Sequence, residues 1–396
     1  MAQFVFTVLD PKGNRSSGTL EATSRSAAMK NLSDKEMVVT NLTEMRTRKE
    51  SLKVSGEDLL LFTQELGSML KAGILLSKAL NVLASDVENS SLRQIALELD
   101  AGINSGKTLT ECLKQYPKVF DKLYVSMVEA GEGGGELPLI LLRLAKYIEQ
   151  SEILKKKIIS QLYYPAMTLV FAMLVMLFIL SYGIPIVVSV YSGFDTELPL
   201  LTQLVLVFGK FMQSYWHALI VVLAVLVVAL IHLLNTEKGA YYFDKLMLEI
   251  RVIGPLVKKM AIARFARTLG TLYGAGVPIL HAMELTAGGI GNRVMEKLLR
   301  KSLENISEGS SVTQALGKVK VFTPMAMSMM AAGEETGSLD VMLNELAEFY
   351  ETQVEISVRA LTSLLEPIIM IFVGMFVAVI ILALALPFMQ LFTVLK

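Results

Sequence analysis

One stretch of this sequence occurs twice, and that duplication constrains every reading of the chain. The first copy runs Ser126-Met127-Val128-Glu129-Ala130-Gly131-Glu132, then Gly133 to Gly135 and Leu137. The second runs Ser328-Met329-Met330-Ala331-Ala332-Gly333-Glu334, then Gly337 and Leu339. Each leads into an amphipathic run, a proline (Pro165 or Pro367) and a long apolar segment. The offset is 367 − 165 = 202 between the prolines and 333 − 131 = 202 between the glycines. A register held over that length means two copies of one structural unit.

The repeat extends upstream. Phe62, Leu66, Gly67, Ala72 and Gly73 return as Phe265, Leu269, Gly270, Ala275 and Gly276, at an offset of 265 − 62 = 203. The slip of one residue falls where Lys114 to Lys118 is answered by Gly317 to Lys320, a loop-like place to lose a residue. Past the glycines, Leu144, Ala145 and Glu149 recur as Leu346, Ala347 and Glu351, and Tyr147 as Phe349. What both copies keep belongs to the shared fold.

Periodicity assigns that fold to helices. Leu59, Leu60, Phe62, Leu66, Met69 and Leu70 mark one face of a helix over Glu57 to Leu70, closed by Ala72-Gly73. Helices follow around Leu76 to Ser85, Leu92 to Ile103, Leu109 to Gln115 and Phe120 to Ala130, and a long one starts near Leu137. Pro138 suits a first helical turn, where its missing N–H costs nothing. The echo spans about Met260 to Tyr350. Before the first copy, Phe4 to Leu9, Thr19 to Ala22 and Val38 to Leu42 read as short strands, the first two around the turn Asp10 to Asn14. Ser24 starts a short helix through Leu32, which makes a small α/β module, and the charged run Glu44 to Lys53 reads as a linker.

Three segments meet the ~20 apolar residues that a bilayer-spanning helix needs. Ala166 to Val190 and Ile368 to Leu395 carry no charge, and Ala218 to Leu234 has only His232, with Tyr215 and Trp216 as an interfacial belt. The 53% hydrophobic content, against 19% charged residues, sits on the apolar side for a soluble protein. Pro185 and Pro387 keep the 202 offset, so the duplication includes the first and third spans, and the middle span returns the chain to the starting side. Lys155 to Lys157 precede the first span and Lys238, Lys245 and Arg251 follow the second, whereas the loop between them offers Asp195, Glu197 and only Lys210. The basic bias places both helical units in the cytoplasm and Lys396 outside. Met1 opens onto Phe4-Val5-Phe6 with no basic region before an apolar core, so no signal peptide is expected.

The expected fold is therefore mainly α, a polytopic membrane protein with two tandem-repeat cytoplasmic helical bundles, three transmembrane helices and a small N-terminal α/β module. Its expected divisions are 1–50 for the module and linker, 55–165 for the first repeat, 166–234 for two transmembrane helices and their outer loop, 235–366 for the second repeat, and 367–396 for the third transmembrane helix.

The net charge of zero gives no field for nucleic acid. One cysteine, Cys112, excludes an intramolecular disulfide framework and a cysteine zinc site. His217, His232 and His281 are too scattered for a metal set or a triad. Gly102-Ile103-Asn104-Ser105-Gly106-Lys107-Thr108 resembles a phosphate loop, but has three residues between its glycines instead of four and follows a helix instead of a strand. Gly131 to Gly135 lacks the preceding strand of a dinucleotide loop and has Glu136 in the third glycine slot. No catalytic residue, cofactor site or metal site is expected.

Four carboxylates stand out instead. Glu132, Glu149, Glu334 and Glu351 recur at one register while Lys146 against Glu348 changes sign, which marks them as candidate contacts to a partner or second subunit. The bland alternatives are a solvated helix face or an internal ion pair for Glu149 and Glu351, and an internal tie to backbone N–H groups for Glu132 and Glu334. A divalent cation held by Glu149 or Glu351 with Glu152 and Glu355 is a further alternative. Gly131, Gly135, Gly333, Gly337, Pro165 and Pro367 form the candidate hinges, with Pro165 a point of bending.

Two tandem units that each feed a span, the Ala-Gly-Glu hinge, and the pairs Tyr164-Pro165 and Glu366-Pro367 resemble the inner-membrane platform family. This family comprises the F protein of type II secretion systems and the C protein of type IV pili. Leu198-Pro199-Leu200-Leu201-Thr202 is similar to its Leu-Pro-x-x-Thr, and Asp10, Gly13, Gly18 and Ala22 to its N-terminal segment; Lys35-Glu36 departs from it where relatives often place a glycine. The resemblance implies a non-enzymatic inner-membrane protein that oligomerises and docks on a hexameric assembly ATPase. It further implies that the ATPase's motion is passed to pilins or pseudopilins leaving the bilayer, beside other inner-membrane assembly proteins. The rival reading, a transporter or channel subunit, has against it the charge-free spans, since transport routes are usually written in intramembrane ionisable groups.

Overall fold

A computed structural model of the chain describes residues 2–9, 15–22, 38–45, 53–179, 182, 199–319 and 321–394. Three strands, β1 (Ala2–Leu9), β2 (Arg15–Ala22) and β3 (Val38–Met45), pair antiparallel in the order β2-β1-β3, with a register shift at Thr7/Val8 of β1. The turn at Asp10 to Asn14 and the helix at Ser24 to Leu32 fall outside the described residues. Strand β3 takes in Glu44 and Met45, which the sequence assigns to a linker, because their backbones pair with Phe4 and Gln3.

The first set of helices is α1 (Gly56–Lys71), α2 (Leu76–Asp86), α3 (Ser90–Asn104), α4 (Leu109–Leu113), α5 (Lys122–Gly134) and α6 (Leu137–Phe178). After α7 (Leu200–Leu234) and α8 (Glu237–Glu249), the second set is α9 (Ile253–Gly274), α10 (Ile279–Gly289), α11 (Arg293–Ser307), α12 (Val312–Gly317), α13 (Pro324–Thr336) and α14 (Leu339–Val394). The helix starts are written locally. Asn89, Thr108 and Asp121 cap α3, α4 and α5, and their counterparts Asn292, Ser311 and Thr323 cap α11, α12 and α13 through the same side-chain-to-backbone bonds. Each such cap contributes about 1 kcal/mol, so the duplication is one of helix boundaries as well as of core residues.

The two sets differ in how deeply their first helix is buried. In α1 only the face carrying Phe62, Thr63, Leu66 and Gly67 is covered, chiefly by α6. Helix α9 packs on α14, α10 and α6, so residues all round it are buried, Arg267 among them. Burial on every side is the condition under which a charged side chain must find a partner.

Helix α6 has 42 residues and α14 has 56, and the helical assignment runs through Pro165 and Pro367 in both. At 1.5 Å per residue their lengths are about 63 and 84 Å. Among the described residues these two are long and apolar enough to cross a membrane. Helix α7 is apolar over Leu200–Phe211 and Ala224–Leu234. Thr202 of α7 is buried and donates from Oγ1 to the Ala383 carbonyl of α14 at 2.8 Å, an interhelical bond suited to an apolar surrounding.

Candidate functional site

The hinge glycines divide into two roles. Gly135 and Gly337 end α5 and α13 at φ of 71° and 68°, the left-handed conformation that lets the chain reverse into the long helix. Gly131 and Gly333 lie inside those helices at the crossing. A Cβ on Gly131 would sit 3.2 Å from the Leu137 Cα, and one on Gly333 would sit 3.0 Å from the Leu339 Cα. Any side chain there pushes the short helix off the long one.

Beside each crossing glycine sits a clamping carboxylate. Glu132 accepts the Leu109 N–H at 2.6 Å, the Thr110 N–H at 2.9 Å and the Thr110 hydroxyl. Glu334 does the same in the second copy, accepting the Val312 N–H at 2.7 Å, the Thr313 N–H at 3.0 Å and the Thr313 hydroxyl at 2.5 Å. Both therefore bind the exposed N–H groups at the start of a short helix (α4 or α12), where the helix dipole also favours a negative charge. Burial works to raise the Glu334 carboxyl, but the Thr313 hydroxyl and the N–H groups of Thr313 and Val312 outweigh it and hold it below the usual range. The hinge end of α5 or α13 is thus fastened to the preceding helix pair by one residue per copy.

The second pair of glutamates parts company. Glu351 forms a bidentate ion pair with Arg267, at 2.9 Å on both arms, and the Arg267 side chain is only 6% exposed against 21% for Glu351. Arg267 Nη1 also donates to Asn344 Oδ1 at 3.2 Å. At the position of Arg267 the first copy has Gln64, which is exposed, and Glu149 is exposed as well. Glu149 keeps the register without the buried cation.

Both copies register against known proteins. The family described as type II secretion system (T2SS), protein F, matches residues 62–185 and again 265–387, and its N-terminal domain matches residues 1–43. The chain belongs to the type II secretion system protein F family. It is 34% identical over 384 residues to the type IV pilus assembly protein PilC of Myxococcus xanthus (strain DK1622), covering 94% of this chain and 91% of that protein. It is 36% identical over 340 residues to PilC of Pseudomonas aeruginosa, covering 86% and 91%, and 31% identical over 401 residues to type II secretion system protein F of the same organism, covering 99% of both. The two family matches start 265 − 62 = 203 residues apart and end 387 − 185 = 202 apart, the same slip that the repeat shows.

Within this member of the family, the phosphate-loop lookalike is an interhelical turn. Gly106 reverses the chain at φ 91° after α3, and Thr108 with Glu111 forms the capping box that starts α4. Gly309 holds the same turn at φ 95° where Ser310 replaces Lys107. Lys107→Ala is therefore expected to change stability by no more than about 0.5 kcal/mol and to leave function intact. Loss of activity from normally inserted protein counts against this. Glu152 and Glu355 are each taken by lysines, Lys155 at 3.1 Å and Lys157 at 3.0 Å. Among the described residues no cluster of three or more His, Cys, Asp or Glu side chains is placed to hold a metal.

The sequence did not single out Thr110, Thr313, Arg267 or Thr202 as site residues. The first two were visible in principle, since they recur at offset 203 two residues after paired caps. Arg267 has no repeat signal, because its counterpart is Gln64.

Proposed function

We propose that this chain is an inner-membrane platform of a type IV pilus or type II secretion apparatus. In this reading it couples a cytoplasmic assembly ATPase to the extraction of pilins or pseudopilins and their assembly into a fibre, and it catalyses no reaction itself. The observation that carries this is continuity: α6 and α14 each run unbroken from a packed helical set into an apolar segment. A displacement of the packed end is transmitted along a rod instead of being lost in a loop. The paired hinges and prolines set where each rod turns. Helix α7 carries the second of three spans, 1–50 is the small α/β module with its linker, and both helical sets face the cytoplasm with the C-terminus in the periplasm. Glu149, exposed and kept in register, is the glutamate left to meet a partner, while Glu132, Glu334 and Glu351 hold the frame on which it sits.

Deleting the gene is expected to abolish fibres or secretion while pilins or pseudopilins remain in the membrane. In intact cells, a cysteine at position 300 is expected to resist an impermeant label and one at position 196 to react. Labelling of position 300 from outside sinks the topology, and fibre assembly in the deletion strain sinks the function.

A further inference from the structure

Helix α8 has no counterpart in the first copy. Counted back by the repeat offset, its ends fall at 237 − 203 = 34 and 249 − 203 = 46, a stretch occupied by strand β3. It follows directly on the apolar stretch Ala224–Leu234 of α7, with only Asn235 and Thr236 between the two helices. The elbow is tight. Thr236 donates from Oγ1 to the Leu233 carbonyl at 2.7 Å and accepts the Gly239 N–H at 3.1 Å. A Cβ on Gly239 would collide with the Leu233 carbonyl oxygen, and one on Gly254, past the other end of α8, with the Leu248 carbonyl oxygen. Backbone contacts at both ends therefore hold α8 against the end of α7 and the start of α9.

None of the 13 residues of α8 is buried, yet its two faces differ. The inward face is occupied. Asp244 accepts the Arg293 N–H at the start of α11 at 2.6 Å, the Lys297 ammonium lies 5.8 Å from the Tyr241 ring centroid, and Leu248 packs against the core. The outward face presents Tyr242, Phe243 and Leu246, which are 70%, 37% and 54% exposed. At 3.6 residues per turn Lys238 and Lys245 fall on one side of Tyr242 and Phe243 on the other. Both lysines are exposed, Lys245 in a loose pair with Glu249 at 3.9 Å, and the exposed Arg251 and Val252 follow the helix. Aromatic and aliphatic side chains in the open, flanked by lysines, are the composition of a helix that lies in a bilayer surface. Position agrees with composition. A helix of 13 residues is about 20 Å long, so no part of α8 lies farther than that from the end of α7.

We propose that the outward face of α8 lies in the headgroup layer of the cytoplasmic leaflet. Tyr242, Phe243 and Leu246 enter the boundary with the acyl chains, the level at which aromatic rings collect. Lys238 and Lys245 lay their stems along that apolar surface and set their ammonium groups at the phosphates of anionic lipid. Through Asp244 and the elbow at Gly254, the second helical set is then held to the membrane surface by a contact that the first set lacks. The inference rests on the reading of α7 as a span.

The test uses the full-length chain, reconstituted alone into vesicles of phosphatidylethanolamine and phosphatidylglycerol. Cys112 is the single cysteine, so every variant carries Cys112→Ser. Tyr242→Cys, Leu246→Cys, Val225→Cys and Glu335→Cys are made one at a time and labelled with an environment-sensitive fluorophore. Val225 lies midway along Ala218 to Leu234, and Glu335 lies by the start of α14, about 44 Å from the apolar segment that opens at Ile368. Labels at 242 and 246 are expected to be quenched more strongly by lipid with a quencher near its headgroup than by lipid with one at the chain end. The order is expected to reverse at 225, and neither lipid is expected to quench the label at 335. Quenching at 225 with none at 242 and 246 overturns the surface helix and leaves the span standing, whereas no quenching at 225 removes both. If 242 and 246 are unquenched in these vesicles yet shielded from a water-soluble thiol reagent in inverted native membranes, a protein covers the face and the proposal falls.

Discussion

Glu334→Ala is expected to lower the stability of the detergent-purified chain by about 2–4 kcal/mol, and Glu132→Ala by a similar amount. Each carboxylate serves two backbone donors and one hydroxyl. A hydrogen bond to a charged group contributes about 1.5–3 kcal/mol, and a donor left unpaired adds its own desolvation cost. The six residues of α12 are too few to form a helix alone. Losing the clamp therefore frees the helix, not merely a bond. The effects of the two substitutions should add, because they lie in separate copies with no shared partner. The pH dependence has a fixed sign. The folded-state pKa of Glu334 is depressed by its donors despite burial, so its contribution is complete above the unfolded value and disappears as pH falls through the folded one. Thermal melts should therefore separate wild type from Glu334→Ala at neutral pH and begin to converge only as pH falls below the ordinary glutamate value of about 4.3. A gap that is constant from neutral to acid conditions, or a shift near zero, removes the clamp from the account.

How far the sequence foretold this structure depended on whether a feature was local or tertiary. The α1 start at Gly56 and the α6 start at Leu137 lie within a residue of the expected positions, because periodicity, capping residues and the turn glycines are all local signals. The φ > 0 turns at Gly135 and Gly337 were legible for the same reason. What Glu132 and Glu334 do was legible only as an alternative, since their partners lie 22 to 23 residues upstream for Glu132 and 21 to 22 for Glu334, across a helix pair. The difference between Glu149 and Glu351 was not legible at all. Both sit at one register of one repeat, and they part because the second copy carries Arg267, buried in α9, where the first has the exposed Gln64. One substitution between the copies, Gln64 against Arg267, together with the deeper burial of α9, breaks the equivalence that the two glutamates keep. Strand β3 ran past its expected end because pairing with β1, not residue type, decided where it stopped.

That broken equivalence predicts unequal costs for the same substitution at equivalent positions. Glu351→Ala is expected to cost about 3–5 kcal/mol, because it strands a guanidinium that is almost wholly buried. Glu149→Ala, on an exposed stretch of α6, is expected to change stability by no more than about 0.5 kcal/mol. The asymmetry should vanish when the cation goes too. Arg267→Met with Glu351→Leu replaces a desolvated ion pair by apolar packing of similar size, and such replacements are often neutral or stabilising by about 1–4 kcal/mol. The double variant is therefore expected near wild type or above it, far from the single one. Melts of all four chains in one detergent, with membrane abundance measured beside them, check the set. If Glu351→Ala behaves like Glu149→Ala, Arg267 is reaching water and the pair is not the internal strut proposed here. If instead the double variant is stable and abundant yet assembles no fibre, the pair acts on a partner and not on the fold. The double variant thus separates the two roles, since the single one removes the frame along with any surface that the frame presents.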